Sequence, residues 1–244
     1  MLARLRSAVV LGVALAPLVA TAAASPIVPP PPVETILSGG PSPARLPARE
    51  PAPVSLLLAE RVQTPDGSHP PALQRLEVEL DRHFAIELKR LPSCHPGLQE
   101  QRMTLAEQCG PAQVGAGTLD VEVAFPEQPA SEVEGELQVF NGGTVRGTTT
   151  FWLYTYLPRP ITSGFLMRLR FRHHRDGRYG LQGTLDGSRI ADGAGSITYL
   201  AARFRKGIFR ASCPDGRLQE QARSFLATGA IQSAELIDNC TRRR

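Results

Sequence analysis

The chain predicts an all-β domain: an antiparallel β-sandwich or flattened barrel with one short disulfide-linked helix. Three observations carry that prediction. Apolar and polar residues alternate over short runs that end in Gly, Pro, Asn or Asp. These runs recur at a spacing of roughly 8 to 12 residues, as in sandwiches and barrels. Only one stretch exchanges the alternation for a helical pattern.

The elements follow in chain order. Arg4 and Arg6 give a positive start, Ser7 to Ala20 an apolar stretch and Ala22-Ala23-Ala24 a run of small residues. This is the arrangement of a secretory signal peptide over residues 1–24, cleaved after Ala24. Pro17 and the dense alanine make the segment short and weakly apolar for about 30 Å of hydrocarbon, which favours cleavage over retention as an anchor. No cysteine follows to receive a lipid, and no later segment is long and apolar enough to cross a membrane. Residues 25–53 are dense in proline and poor in large apolar side chains, and read as a proline-rich disordered spacer. Residues 54–244 remain as a single β-rich domain, long enough to bury a real core.

Within that domain LEVELD (76–81), GTLDVEVAF (117–125), GELQVF (135–140), FLMRLRF (165–171) and SITYLAARF (196–204) alternate as strands do. Pro65-Asp66-Gly67, Pro214-Asp215-Gly216 and Asn141-Gly142-Gly143 supply turn chemistry. Between Cys94 and Gly110 the run PGLQEQRMTLAEQ opens on a proline suited to a first helical turn and stops before Gly110-Pro111. That predicts a short helix with Leu98, Leu105 and Cys109 near one face. The segments GAGT (115–118) and GAGS (193–196) each lead into a strand, but lack the Gly and Lys spacing of a phosphate loop.

Four cysteines, an even count in a chain read as secreted, point to two disulfide bonds. Three connectivities exist. Sequential pairing, Cys94 with Cys109 and Cys213 with Cys240, brackets one compact excursion each and is preferred. Clustered Cys/His spacing of the zinc type is absent, so neither a metal nor a cofactor is expected.

The net charge of +4 invites a nucleic-acid reading, yet its distribution opposes one. Arg4 and Arg6 leave with the signal and Arg242 to Arg244 form a terminal tail, so 22 of the 27 basic residues remain against 23 acidic ones. The footprint of a duplex binder is missing.

The run FRHHRDGRYG (171–180) tests for a metal site. A three-residue loop over Arg175, Asp176 and Gly177 would pair Phe171 with Leu181 and His173 with Tyr179. His173 then lies toward the core side at a half-buried rim, and His174 joins Arg168, Arg170 and Arg172 on the other face. Two histidines on opposite faces share no metal. His69, in the turn DGSHPP, reads as a solvent-facing histidine, although a Ser, His and carboxylate triad assembles by geometry and needs no local motif. GxSxG and HExxH are both absent. Asp120 with Glu122, and Glu132 with Glu134 and Glu136, share strand faces and read as a solvated surface rather than a glycosidase pair.

The sharpest local feature is TTFWLYTYLP (149–158), which puts Trp152, Tyr154 and Tyr156 on one face and Phe151, Leu153, Thr155 and Leu157 on the other. Exposed, the first face is a ligand-binding platform for sugars or apolar molecules; covered, it is the second side of a central strand. The covered reading is preferred, because aromatic strands serve cores more often.

DGSHPPALQRLEVELD (66–81), LPSC (91–94), CGPAQVGAGT (109–118), AFPEQPA (124–130), FNGG (140–143), DGAGSIT (192–198) and SCPDG (212–216) together resemble an uncharacterised family of secreted, β-rich proteins from high-GC Gram-positive bacteria. FLATGAIQ (225–232) departs from the Asp-Gly turn more usual there. The resemblance implies export, one β domain and two cysteine pairs, and no catalytic residue. The expected function is an exported non-catalytic extracellular or envelope-associated binding or structural module, with cell-wall polysaccharide or an envelope protein as partner and no nucleic acid. The alternatives are a secreted hydrolase acting on polysaccharide with a dispersed active site, and a carrier of a small apolar ligand. Secretion, with residence at the cell surface, is the expected location.

Overall fold

The protein is described from a computed structural model, which covers residues 32–96, 105–125, 127–157, 163–174, 177–187, 190 and 194–243. The expected signal peptide and the first residues of the expected spacer lie outside these. Among the described residues fourteen strands follow in chain order: β1 (Glu34–Ser42), β2 (Arg45–Pro47), β3 (Ala52–Gln63), β4 (Leu73–Asp81), β5 (Phe84–Ile86), β6 (Gln113–Val123), β7 (Ser131–Val145), β8 (Thr148–Leu157), β9 (Ser163–His173), β10 (Tyr179–Asp186), β11 (Gly195–Ala211), β12 (Arg217–Leu226), β13 (Ile231–Asn239) and β14 (Thr241–Arg243). One short helix, α1 (Leu105–Cys109), runs into a 3-10 turn at Gly110–Ala112.

The fold is all-β, as the alternation predicts. One twelve-stranded sheet runs in the order β1-β3-β11-β6-β7-β8-β9-β10-β4-β12-β13, with β5 paired to β11. Every pairing in it is antiparallel. The sheet curls into a nearly closed barrel whose two ends, β1 and β13, come together without a hydrogen-bonded ladder. Their approach is close at Gly40, where a Cβ atom would lie 2.0 Å from the Asp238 carboxylate.

A single-walled barrel explains the alternation directly. Inward residues fill the interior: Val54, Leu56 and Leu58 from β3, Phe151, Leu153 and Leu157 from β8, Leu218 and Ala222 from β12. The rings of Phe151, Phe171, Phe204 and Phe209 meet at centroid distances of 4.9 to 6.2 Å, mostly edge to face, the arrangement aromatic quadrupoles favour. At one end the parallel pair β2 and β14 lies against the barrel, with Leu46 fully buried and the Cys213 amide donating to the Pro47 carbonyl.

Residues 34–53 correct the expected spacer. They form β1, β2 and the start of β3, and Leu37 and Leu46 join the core. Proline is tolerated here because β1 is an edge strand, paired by a ladder to β3 alone, so a missing amide donor breaks little.

Both disulfide bonds connect as expected, Cys94 with Cys109 and Cys213 with Cys240. The helix is shorter than its sequence pattern among the described residues. Leu98 lies outside them, Leu105 is half-buried and Cys109 is buried.

Two local expectations are corrected. Asn141-Gly142-Gly143 is not a turn: β7 runs on to Val145, with a register shift between Asn141 and Thr144, and the chain reverses at Arg146-Gly147. The buried Asn141 uses its amide to hold a neighbouring loop, donating to the Pro92 carbonyl at 2.8 Å, while its main-chain carbonyl accepts from Cys94. The hairpin of β9 and β10 pairs Phe171 with Gly183 and His173 with Leu181, two residues from the expected register. The parity survives, so Phe171 stays buried, but His173 is exposed rather than half-buried.

Candidate functional site

The outward row of β8 carries the three aromatic residues singled out by the sequence. Trp152 stands opposite Phe140 of β7 and Arg168 of β9, Tyr154 opposite Gln138 and Leu166, and Tyr156 opposite Glu136 and Gly164. The preference for a covered face is corrected here. Trp152 and Tyr154 are half-buried and Tyr156 is 50% exposed, because a single-walled barrel has no second sheet to cover its outside. Among the described residues, cover is seen beside the row. Phe140 is fully buried on this outer face, where the 3-10 turn and the Cys94 amide lie against β7.

Two glycines shape the surface around the rings. A Cβ on Gly164 would lie 3.0 Å from the Tyr154 hydroxyl oxygen, so that ring lies over bare backbone. A Cβ on Gly142 would lie 2.9 Å from Trp152 Nε1. The indole N–H and the Gln138 side-chain carbonyl are buried atoms with no hydrogen-bond partner among the described residues. The half-buried rings of Trp152 and Tyr154 and the exposed ring of Tyr156 share one shallow surface, which suits a ligand with apolar patches.

A second constellation escaped sequence reasoning. Ser196 of β11 and Glu122 of β6 are cross-strand partners, and His69, from the loop between β3 and β4, lies over both. His69 Nδ1 is 2.6 Å from Glu122 Oε1, and Nε2 is 3.1 Å from Ser196 Oγ. His69 is therefore a partnered residue of a carboxylate–imidazole–hydroxyl relay and not a solvent-facing turn histidine. The Ser196 hydroxyl also donates to the Pro70 carbonyl at 2.5 Å. That use of its proton leaves Nε2 to donate to the serine oxygen, the reverse of the direction a nucleophile needs. Ser196 is 1% exposed. The relay clamps the loop to the barrel wall.

The remaining candidates separate. Glu122 and Glu132 are paired across β6 and β7, as are Asp120 and Glu134, giving a ladder of carboxylates on the outer face. Burial, then the charges of Glu134 and Glu132, push the Asp120 carboxyl upward. No cluster of three metal-ligating side chains exists among the described residues, and His173 and His174 join no such group there. Asp81, buried, accepts from the His83 amide and lies 2.6 Å from His83 Nδ1, which caps the turn after β4.

The interior holds acids of a different kind. Glu60 of β3 is hydrogen-bonded by the Ser224 hydroxyl of β12, and burial pushes its carboxyl up to about 7. Glu220 of β12 is fully buried, and burial followed by the charges of Asp238 and Asp81 pushes it up to about 8. Beside Glu60 lies a void of about 30 Å3 lined by Leu37, Leu58, Leu76, Val78 and Leu153. That is room for one or two waters.

No protein-family model, no curated protein and no solved structure matches this chain.

Proposed function

We propose that the protein is an exported, non-catalytic binding module that holds cell-wall polysaccharide on its outer barrel face through Trp152, Tyr154 and Tyr156. One observation carries the reading: the aromatic row lies on the outside of the barrel, with Tyr156 50% exposed and the Trp152 and Tyr154 rings half-buried. Stacking on ring faces with a few fixed polar contacts is how such a surface selects a sugar. Two disulfides and the lack, among the described residues, of any helix long and apolar enough to cross a membrane agree with an extracellular location. So does the resemblance of the chain to secreted proteins of high-GC Gram-positive bacteria. The carrier alternative needs a chamber roughly ten times the interior void, since ligand sites run to about 300 Å3 or more.

The test is retention of the chain from residue 25 onward on insoluble cell-wall and polysaccharide preparations, with Trp152→Ala alongside. Retention by the parent and release of the variant supports the platform. Equal behaviour of the two removes it.

A second reading rests on the order Glu122–His69–Ser196, that of a serine hydrolase. It predicts covalent labelling of Ser196 by a fluorophosphonate. The proposed module predicts none, because Ser196 is closed from solvent and its proton is committed to Pro70.

A further inference from the structure

A cleft of about 410 Å3 opens on the barrel wall where β11 departs from its register. Phe204 and Phe209 both point into the core and are fully buried, yet the pairing with β3 shifts between them. Arg205 and Lys206 between them bulge outward, with Gly207 at φ +96°, a conformation that suits glycine, before Ile208 returns to the core. The bulge carries Arg205 and Lys206, and Arg203 precedes it on the outer face; all three are exposed and line the cleft. Its floor is kept low by Gly115 and Ala116, for a Cβ at Gly115 would lie 2.6 Å from the Arg203 carbonyl.

Charge balance distinguishes this cleft from five arginines elsewhere on the outer wall. Arg75, Arg168, Arg170, Arg178 and Arg223 each meet a carboxylate, at 2.7 to 4.0 Å. Arg203, Arg205 and Lys206 form no ion pair among the described residues, and no carboxylate lines their cleft. The neutral polar lining is already engaged: the Ser55 hydroxyl donates to the Phe204 carbonyl and the Gln113 amide to the Gly115 carbonyl. What remains is two planar guanidinium forks and an ammonium without an acceptor. Guanidinium pairs with phosphate oxygens in two parallel charge-assisted hydrogen bonds, with a negative charge that an uncharged sugar lacks.

We propose that the cleft formed by Arg203, Arg205 and Lys206 is an anion site for a phosphate-bearing ligand. It is independent of the aromatic row, because its residues lie on β3, β6 and β11 and share none with that face.

The experiment is calorimetric titration of the chain from residue 25 onward at low ionic strength, first with inorganic pyrophosphate and then with a poly(glycerol phosphate) chain. The expected result is saturable pyrophosphate binding that weakens as salt is raised. It should drop at least about tenfold in Arg203→Ala/Arg205→Ala, charge-assisted hydrogen bonds being the strong kind. The control Arg146→Ala/Arg172→Ala, at a separate basic cleft, should leave it unchanged. Stronger binding of the polymer than of pyrophosphate would assign the site to a polymeric phosphodiester, and the reverse to a small phosphate. Circular dichroism confirms that the variants, altered only at exposed side chains, are folded. Absence of binding for both probes, or equal loss in the control pair, overturns the proposal.

Discussion

The ring of Phe171 lies across Gly183, its cross-strand partner, so closely that a Cβ on the glycine would fall 2.7 Å from the ring. Gly183 is thus part of the aromatic core. Gly183→Ala should destabilise the protein by about 1–3 kcal/mol through overpacking. Phe171→Leu in the same chain should recover part of that loss, whereas each change alone destabilises. Chemical denaturation of the three variants measures the coupling, and strict additivity would show that the two side chains do not meet.

Burial of Glu220 and Glu60 gives a stability that falls as pH rises. Both carboxyls ionise higher in the folded chain than their ordinary value of 4.5, so the native state holds protons that the unfolded state has released. The benefit is complete below pH 4.5, declines between there and about 8, and is gone above. The melting temperature should therefore fall from pH 5 to 9. Glu220→Gln should remove the larger part of the slope. A profile parallel to that of the parent would show that Glu220 does not titrate in this range.

Trp152 is the only tryptophan, so intrinsic emission reports the aromatic row alone. A half-buried indole should emit between the limits of core and water and be partly quenched by iodide. Bound polysaccharide should shield it. An emission blue-shifted and indifferent to iodide would mean a covered face.

His69→Ala removes both links of the relay and should cost about 1–3 kcal/mol. The loop holding Asp66 and Ser68 should then become the first site of limited proteolysis, which Ser196→Ala should reproduce in part. Unchanged cleavage in both would show that the loop is held by other contacts.

Opening the Cys213–Cys240 link by double alanine substitution should lower stability by about 3.5 kcal/mol, the chain-entropy value for its 27-residue separation. Urea unfolding reads this directly, and a loss under about 1 kcal/mol would place the constraint elsewhere, in the β2–β14 pair.

Much of the wall was legible because alternation is local. Leu76, Val78 and Leu80 of β4, or Val121 and Val123 of β6, declare an inner face by spacing alone, and both cysteine pairs followed from bracketing. What spacing could not show was closure. Whether Trp152 faces solvent depends on the number of layers, which no strand records about itself. The same limit hid β1: with Pro41 and its two glycines it reads as a spacer, and only the ladder to β3 makes it a wall. The relay was hidden for a simpler reason. His69, Glu122 and Ser196 come from three separate segments, and no motif ties a loop histidine to a pair set by sheet register. A partial signal existed in Glu122, a carboxylate in the alternating strand, and in Ser196, opening the next.

The seam between β1 and β13 sets how the molecule comes apart. Along the path from β3 to β12 each strand is laced to two neighbours by main-chain hydrogen bonds, but here Gly40 and Asp238 meet through a side chain. Amide protons facing the seam should therefore exchange with deuterium first, and unfolding should spread from it as a zip opens, strand by strand in both directions. The aromatic row on β8 lies near the middle of the sheet, farthest from that opening. A binding face placed there keeps its shape through the small openings that the rim of the sheet undergoes.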